Sequence, residues 1–290
     1  MSSLNALLNV FDEESFLIFK MMLMQPQVKN ALLVGALVSL CAALLGVILV
    51  LKHYALIGHG LGEVGFAAMS VAALIGLGDY PLIVAIPVVC ISSILIMRLG
   101  QKNGMGGDVL IGIFSTSALA VGVIASSYTS GYTGVYNSMF GSLSAVSKSD
   151  VAFSVSLSIA VILIFLFLYN RLFSVTYDET YARATDMNAD LYQFLISLLT
   201  SVSIVLGMRV MGAMMISSFI IFPAITAKRI ARSFRSMLLI AVAVALFSFF
   251  VGVAIHLIVD VYPALPMGAC VVSVSVIVML ATFLFTKVKR

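Results

Sequence analysis

A histidine and a glutamate stand four residues apart in a stretch of this 290-residue chain that otherwise holds only glycine and aliphatic residues. They are His59 and Glu63, within residues 56–65. On an α-helix this spacing puts both side chains on one face, within about 6 Å of each other, where an imidazole nitrogen and a carboxylate oxygen suit one divalent cation. The spacing also fits a His–Glu hydrogen bond that joins neighbouring helices, or a proton relay, so three chemistries stay open.

A second candidate pair, His256 and Asp260, repeats this spacing near the end of a later apolar run. A membrane interface accepts polar groups at low cost, so the pair also fits an interfacial position without a ligand. The three cysteines, Cys41, Cys90 and Cys270, lie in different apolar runs and form no CxxC motif. Their distribution predicts packing residues rather than a disulfide framework or a thiolate metal site.

The elements that must position these residues are predicted to be membrane-spanning helices. Hydrophobic residues make up 62% of the chain, charged residues 10%, and the mean hydropathy is +1.18, whereas soluble domains have about 45–50% apolar and about 25% charged residues. The apolar runs of about 17–22 residues match a helix that crosses the bilayer and exclude an outer-membrane β-barrel, whose strands alternate every second residue. The composition predicts an all-α, polytopic integral membrane protein with about eight to nine transmembrane helices.

Nine segments are predicted to cross the lipid bilayer: Ala31–Leu51, Leu56–Leu77, Pro81–Met97, Val109–Ser127, Val151–Tyr169, Leu191–Met208, Gly212–Thr226, Met237–Ile258 and Met267–Thr286. Residues 1–30 mix phenylalanine and methionine with acids and lysines, which predicts an amphipathic segment at the membrane interface. Residues 31–290 then form the transmembrane domain.

Basic residues predict the orientation, because cytoplasmic loops are enriched in lysine and arginine. With the N-terminus outside and the C-terminus in the cytoplasm, the inner loops hold 12 of the 16 basic residues: Lys52, Arg98, Lys102, Arg171, Arg183, Lys228, Arg229, Arg232, Arg235, Lys287, Lys289 and Arg290. These residues stand between apolar runs, so the positive net charge indicates membrane topology and no nucleic-acid partner is expected.

The most charged stretch of the chain, residues 171–190, is predicted to lie on the cytoplasmic surface. A short helix from about Asp178 to Thr185 is expected within it. The predicted loops leave no soluble domain large enough for an enzyme, and the sequence has no GxxxxGK[ST] phosphate loop. Any ATP hydrolysis must therefore be carried out by another polypeptide.

Several segments of the chain, taken in order from about Asn30 to Phe285, form a recognisable set: Leu45–Lys52 with Ala55–Gly58, Gly107–Ile113, Phe140–Leu143, Tyr177–Ala184, Val210–Met215, Pro223–Ala227 and Pro266–Gly268. Together and in this order they resemble the integral-membrane permease of ATP-binding-cassette importers for zinc, manganese or iron. The family has Asp at the position of His59 and Ser-His at Gly62 and Glu63. This chain keeps two candidate ligands there but changes their identity. Asp186 stands where the family usually has a glycine, and aspartate tolerates the left-handed conformation better than most residues.

The resemblance implies a cobalamin-importer-like permease topology and a homodimer whose path runs along the subunit interface. It implies that a divalent metal ion is the transported substrate and that no cofactor is bound permanently. The implied partners are separate ATP-binding-cassette ATPase subunits and an extracytoplasmic metal-binding protein, at the plasma or inner membrane of a prokaryote.

Roles for particular residues also follow from the resemblance. His59 and Glu63 are expected to hold the metal, with His256 and Asp260 as a second, outer pair. The residues expected to couple to the ATPase are Asp178, Glu179, Ala182, Arg183 and Ala184. Two alternative functions are a permease for metal chelates of the cobalamin or siderophore type and a proton-coupled secondary metal carrier.

Overall fold

The computed structural model describes residues 26–77, 81–102, 107–129, 148–259 and 266–288. In these ranges the chain forms eleven helices and no strand: α1 Pro26–Leu51, α2 Ile57–Leu74, α3 Pro81–Lys102, α4 Gly107–Thr129, α5 Lys148–Phe167, α6 Tyr169–Tyr177, α7 Glu179–Ala184, α8 Ala189–Met211, α9 Ala213–Ile230, α10 Phe234–Val259 and α11 Met267–Val288. The predicted all-α class is confirmed.

Eight of these helices are long and apolar enough to cross a membrane, and a ninth crossing is obtained if α5 and α6 count as one bent span. The axis bends by 69° between Phe167 and Tyr169. The prediction of eight to nine membrane helices is therefore confirmed. Most of the predicted interfacial segment, residues 1–25, and the predicted motif Phe140–Leu143 lie outside the described residues, and α1 begins at Pro26.

Close contacts between helices establish which ends lie together. Gly35 of α1 packs against Met211, and Gly46 packs against Ile220 of α9, so α1 and α9 run parallel. Tyr54, just after α1, contacts Gly100 near the end of α3 and Gly107 at the start of α4. We call this side of the bundle the basic end, because Lys52 follows α1 there and the basic residues of 228–235 span the end of α9 and the start of α10.

The reversal between α8 and α9 is a single residue. Gly212 has φ +87° and ψ +155°, a backbone conformation open to glycine and strained for residues with a Cβ. Met211 and Ala213 on either side of it are buried. Because Met211 packs against Gly35, nine residues into α1, this reversal lies about 13 Å inside the bundle rather than on its surface.

Helix packing rests on glycines that let backbones approach, as expected where lipid offers no hydrophobic driving force between helices. A Cβ built on Gly46 would come closer than 3.0 Å to the carbonyl oxygen of Ile220, which is backbone and has no rotamer to change. Gly112, by contrast, has nothing within 4 Å of that position. The two sites therefore form a matched pair for mutagenesis.

Gly46→Ala is expected to destabilise the protein by about 1–3 kcal/mol, because the added methyl group forces α1 away from α9. Gly112→Ala adds the same atoms in open space and should be neutral or slightly stabilising, since alanine favours helix. Thermal unfolding of the two purified variants in the same detergent checks this. Equal unfolding midpoints for both variants would contradict the close packing of α1 on α9.

Candidate functional site

His59 and Glu63 lie in the first two turns of α2, and the structure brings their side chains together. His59 Nε2 lies 3.4 Å from Glu63 Oε1. The two side chains differ in exposure, 52% for His59 and 12% for Glu63. The predicted juxtaposition on one helix face is thus present, with a buried carboxylate and an imidazole that reaches the surface of the protomer.

A third polar group completes this cluster. Ser115 of α4 donates a hydrogen bond from its hydroxyl to Glu63 Oε2, so the two carboxylate oxygens face different partners. Ser115 is eight residues from the start of α4, which places the carboxylate about 12 Å from the basic end along a helix of 23 residues. Both α2 and α4 are long and apolar enough to cross a membrane, and an ionisable residue inside such a helix is costly and marks a functional site by default.

Glycines on α2 bring other helices against this cluster. Gly58 and Gly62 contact Ile220 and Ala213 of α9, and Gly60 contacts Ile111 of α4. The spacing of these small residues allows the close approach predicted by a small-xxx-small pattern. Most residues of α2 are consequently buried, and within residues 57–68 His59 is the exposed one.

The chain supplies a nitrogen, a carboxylate and a hydroxyl to this cluster. Among the described residues no group of three or more His, Cys, Asp and Glu side chains comes together to hold a metal ion. His59 and Glu63 would fill only two coordination positions of a metal ion, and water or further ligands would fill the others. Such a site suits transient binding of a cation, whereas a structural metal site has all its positions filled by the protein.

His256 lies in a different part of the bundle. Phe249 of α10 packs against Gly35 of α1, and His256 is seven residues further along, about 10 Å nearer the end opposite the basic end. Its side chain is 9% exposed, and Nδ1 is buried without a hydrogen-bond partner among the described residues. Asp260 lies outside the described residues, so the pairing of His256 with Asp260 stays a prediction.

The predicted short helix on the charged stretch is present as α7, Glu179–Ala184. The Asp178 carboxylate caps it by accepting a hydrogen bond of 2.9 Å from the Tyr181 backbone N–H. After the helix, Asp186 adopts φ +57°, the left-handed conformation expected where related permeases have glycine. Ala182 is fully buried, whereas Ala184 is exposed.

Glu179 faces the membrane domain rather than solvent alone. Its Oε2 lies 3.7 Å from Lys52 Nζ and accepts a hydrogen bond of 2.5 Å from Gln193 Nε2 of α8. Its Oε1 accepts hydrogen bonds from Arg183, which also binds Asp190 Oδ1 at 2.6 Å. The carboxylate thus ties α7 to the residue that follows α1 and to the start of α8.

The Lys52 side chain is only 8% exposed, although its position between two helices suggested a solvated topology residue. Burial lowers the pKa of its ammonium group, and the neighbouring Glu179 carboxylate opposes that shift. A largely buried cation with one carboxylate within 4 Å depends on that partner. Sequence spacing gave no signal for this pair, because 126 intervening positions separate Lys52 from Glu179.

Sequence reasoning missed three further residues at these sites. Ser115 and Gln193 are polar residues inside long apolar helices. Their polarity within a predicted membrane span was the feature of the sequence that could have identified them. Tyr181 of α7 is 62% exposed. It lies in the segment Tyr177–Ala184 that carries the resemblance, but it was not among the residues expected to couple to the ATPase. These residues complete the carboxylate environments on which the site and α7 depend.

Comparison with known proteins identifies the family to which this chain belongs. The chain is 30% identical over 223 residues to the high-affinity zinc uptake system membrane protein ZnuB of Haemophilus influenzae, covering 77% of this chain and 85% of that protein. It is 25% identical to the manganese import system permease protein ScaB of Streptococcus gordonii, covering 90% of this chain and 92% of that one.

A solved structure has the same fold. PsaBC from Streptococcus pneumoniae, determined in complex with a Fab, superposes with a TM-score of 0.80 at 24% identity, covering 91% of this chain and 94% of that one. The sequence profile described as the ABC 3 transport family matches residues 24–286, almost the whole chain. The chain therefore belongs to the ABC 3 transport family.

Proposed function

We propose that this protein is the membrane permease of an ATP-driven importer for a divalent transition metal ion, with the His59–Glu63 pair holding the ion during passage. The observation that carries the proposal is the buried Glu63 carboxylate, which faces His59 and Ser115 inside the membrane. Family membership supports the transport role, and the names of the zinc and manganese relatives support a metal ion as substrate.

Zinc, manganese and ferrous iron are the candidate substrates. Divalent-ion affinity at nitrogen and oxygen ligands rises from manganese through iron, and zinc binds more tightly than either, so ligand type alone does not select the metal. The change from the family's Asp and His to His59 and Glu63 keeps one imidazole and one carboxylate. We propose that the choice among these metals depends on how many other ligands, such as water, the ion keeps when it binds His59 and Glu63.

A second copy of the chain is part of the proposal. His59 is half-exposed, and one protomer offers two strong ligands at the site. A homodimer with its path along the interface would place the imidazoles of two protomers on that path. His256 and Asp260 would form an outer relay at the far end, where an extracytoplasmic metal-binding protein delivers the ion.

The basic end is proposed to face the cytoplasm, with the C-terminus inside and the N-terminus outside, in a prokaryotic plasma or inner membrane. The excess of lysine and arginine at that end supports this orientation. A separate ATP-binding-cassette ATPase would dock on the end of α6 and on α7, where Tyr177 and Tyr181 are exposed. Its closure would move α7 and the helices tied to it as a rigid body.

Metal uptake into vesicles that hold this chain with its partner ATPase tests the proposal. ATP is expected to drive accumulation of one of zinc, manganese or iron, with none expected in a sample without ATP. That metal should accumulate at least about tenfold above the other two, as for a site that discriminates between them by about 1.4 kcal/mol or more. Dissipating the proton gradient should leave uptake unchanged. Uptake that follows the proton gradient and not ATP would support the secondary carrier, and uptake of chelates alone would support the chelate permease.

A further inference from the structure

A strongly positive surface lies where α9, α10 and α11 meet at the basic end. We call it the basic cluster: Lys228, Arg229, Arg232 and Arg235, all exposed. From residue 191 to the C-terminus the sequence contains a single acid, Asp260, which is 25 positions beyond Arg235 and lies outside the described residues. In the described part of the chain, no carboxylate lies within 4.0 Å of any of the four cations, and the ion pairs found there involve other residues.

The cluster is held against the last turns of α11. Arg229 Nε donates a hydrogen bond of 3.2 Å to Thr286 Oγ1, and the Arg229 guanidinium lies 4.8 Å from the centre of the Phe283 ring. In the sequence, three further basic residues follow Thr286: Lys287, Lys289 and Arg290. The positive-inside rule explains why basic residues occur at this end of the bundle. It does not explain why the Arg229 side chain is held by Thr286 and Phe283.

Apolar side chains surround the cluster on the membrane side. Ile230 is 48% exposed, and Leu239, Leu284 and Phe285 are 65%, 66% and 77% exposed. Arg235 and Leu239 are four residues apart on α10 and share a helix face. Cations therefore lie directly next to exposed apolar surface at the ends of three helices. This combination matches a phospholipid, whose phosphate group would lie at the cations and whose acyl chains would lie on the apolar surface.

We propose that the basic cluster binds the headgroups of anionic phospholipids, with their acyl chains on the exposed faces of α10 and α11. Guanidinium groups bind phosphate oxygens in a bidentate manner, and basic clusters next to membrane helices attract anionic lipids. A soluble ATPase is a poorer match, because it would have to cover Leu284 and Phe285, whereas a lipid does so in place.

The chain has no tryptophan, so a single introduced indole reports on its surroundings without background. Leu239→Trp would place the reporter beside the cluster, and Leu163→Trp, on the exposed side of α5 in the same half of the bundle, is the matched control. Quenching by brominated phosphatidylglycerol and by brominated phosphatidylcholine, in bilayers of the same total lipid content, gives the relative binding constant of the two lipids at each position.

At Leu239→Trp the anionic lipid is expected to bind about fivefold more tightly than the zwitterionic one, and the preference should disappear at high salt. At Leu163→Trp the constant should stay near one. Adding Arg232→Gln and Arg235→Gln to Leu239→Trp should remove most of the preference. Because the salt titration leaves the chain unaltered, it tests the proposal even if the arginine variants insert poorly.

Equal quenching by both lipids at Leu239→Trp would overturn the proposal. Loss of the preference in excess inorganic phosphate, at matched ionic strength, would overturn it in favour of a free-phosphate site. Equal quenching together with loss of ATPase binding in the arginine variants would identify a protein-docking surface instead. Symmetric bilayers make the result independent of the orientation and of the transport function proposed above.

Discussion

Glu63→Gln is expected to reduce metal uptake about a hundredfold or more, beyond the 10–100-fold that loss of a supporting residue usually costs at a metal site. Glutamine has the same shape as glutamate and can still bind Ser115, but it lacks the negative charge. A divalent cation that leaves water inside a membrane loses most when its single carboxylate is removed. The measurement is ATP-dependent uptake in vesicles with matched amounts of inserted protein.

Two further variants, Ser115→Ala and His59→Ala, separate binding from folding in this experiment. Ser115→Ala removes the hydroxyl but keeps both metal ligands, so its uptake should fall about tenfold at most. His59→Ala alters a half-exposed side chain and should abolish uptake while leaving the unfolding temperature and dimer assembly unchanged. Normal uptake in Glu63→Gln would mean that this cluster only stabilises the packing of α2 on α4 through the Ser115 hydrogen bond, and the metal assignment would be wrong.

Glu179→Gln is expected to uncouple transport from ATP hydrolysis, so that less metal is taken up for each ATP hydrolysed. The change leaves the Lys52 ammonium largely buried with no carboxylate beside it, and it removes the charge that Arg183 and Gln193 bind. We expect α7 to detach from the residue that follows α1, at a cost of about 1–3 kcal/mol. Uptake per ATP hydrolysed should then fall about tenfold, since each 1.4 kcal/mol corresponds to one order of magnitude.

A double variant distinguishes this coupling role from a general loss of stability. Lys52→Met combined with Glu179→Gln removes both charges, so no uncompensated charge stays buried and the unfolding temperature should recover. Transport coupling should stay low, because the link between α7 and α1 is still missing. Asp190→Asn alters the exposed partner of Arg183 and should have little effect. Full coupling in Glu179→Gln would contradict the role of Glu179 as a positioning residue.

These expectations revise the role that sequence reasoning gave to Glu179. An acidic segment on a cytoplasmic loop predicts a docking surface, and both carboxylates, Asp178 and Glu179, looked available for a partner. In the structure Asp178 caps α7 and Glu179 binds Lys52 and Gln193. Tyr177 and Tyr181 are among the exposed side chains of the segment, and neither forms such an ion pair in the described part of the chain.

Local pattern accounts for most of the fold and for part of the site. The length of the apolar runs predicted the membrane helices, because a span must satisfy its backbone hydrogen bonds within itself. The four-residue spacing predicted the contact between His59 and Glu63, because both sit on one helix. Ser115 and Lys52 could not be predicted in the same way, since their partners come from distant parts of the chain and depend on how the helices pack.

The single-residue reversal at Gly212 has a consequence for how the length of this chain can vary. Each residue inserted into or deleted from a helix rotates everything beyond it by about 100°. Because Gly212 leaves no spare chain to absorb that rotation, an insertion in the last turns of α8 would turn Ala213 away from Gly62 and open the packing beside Glu63. Insertions and deletions compatible with the fold are therefore expected in the longer connections, and the residue count between Asn188 and Ile230 is expected to be as constrained as the residue types.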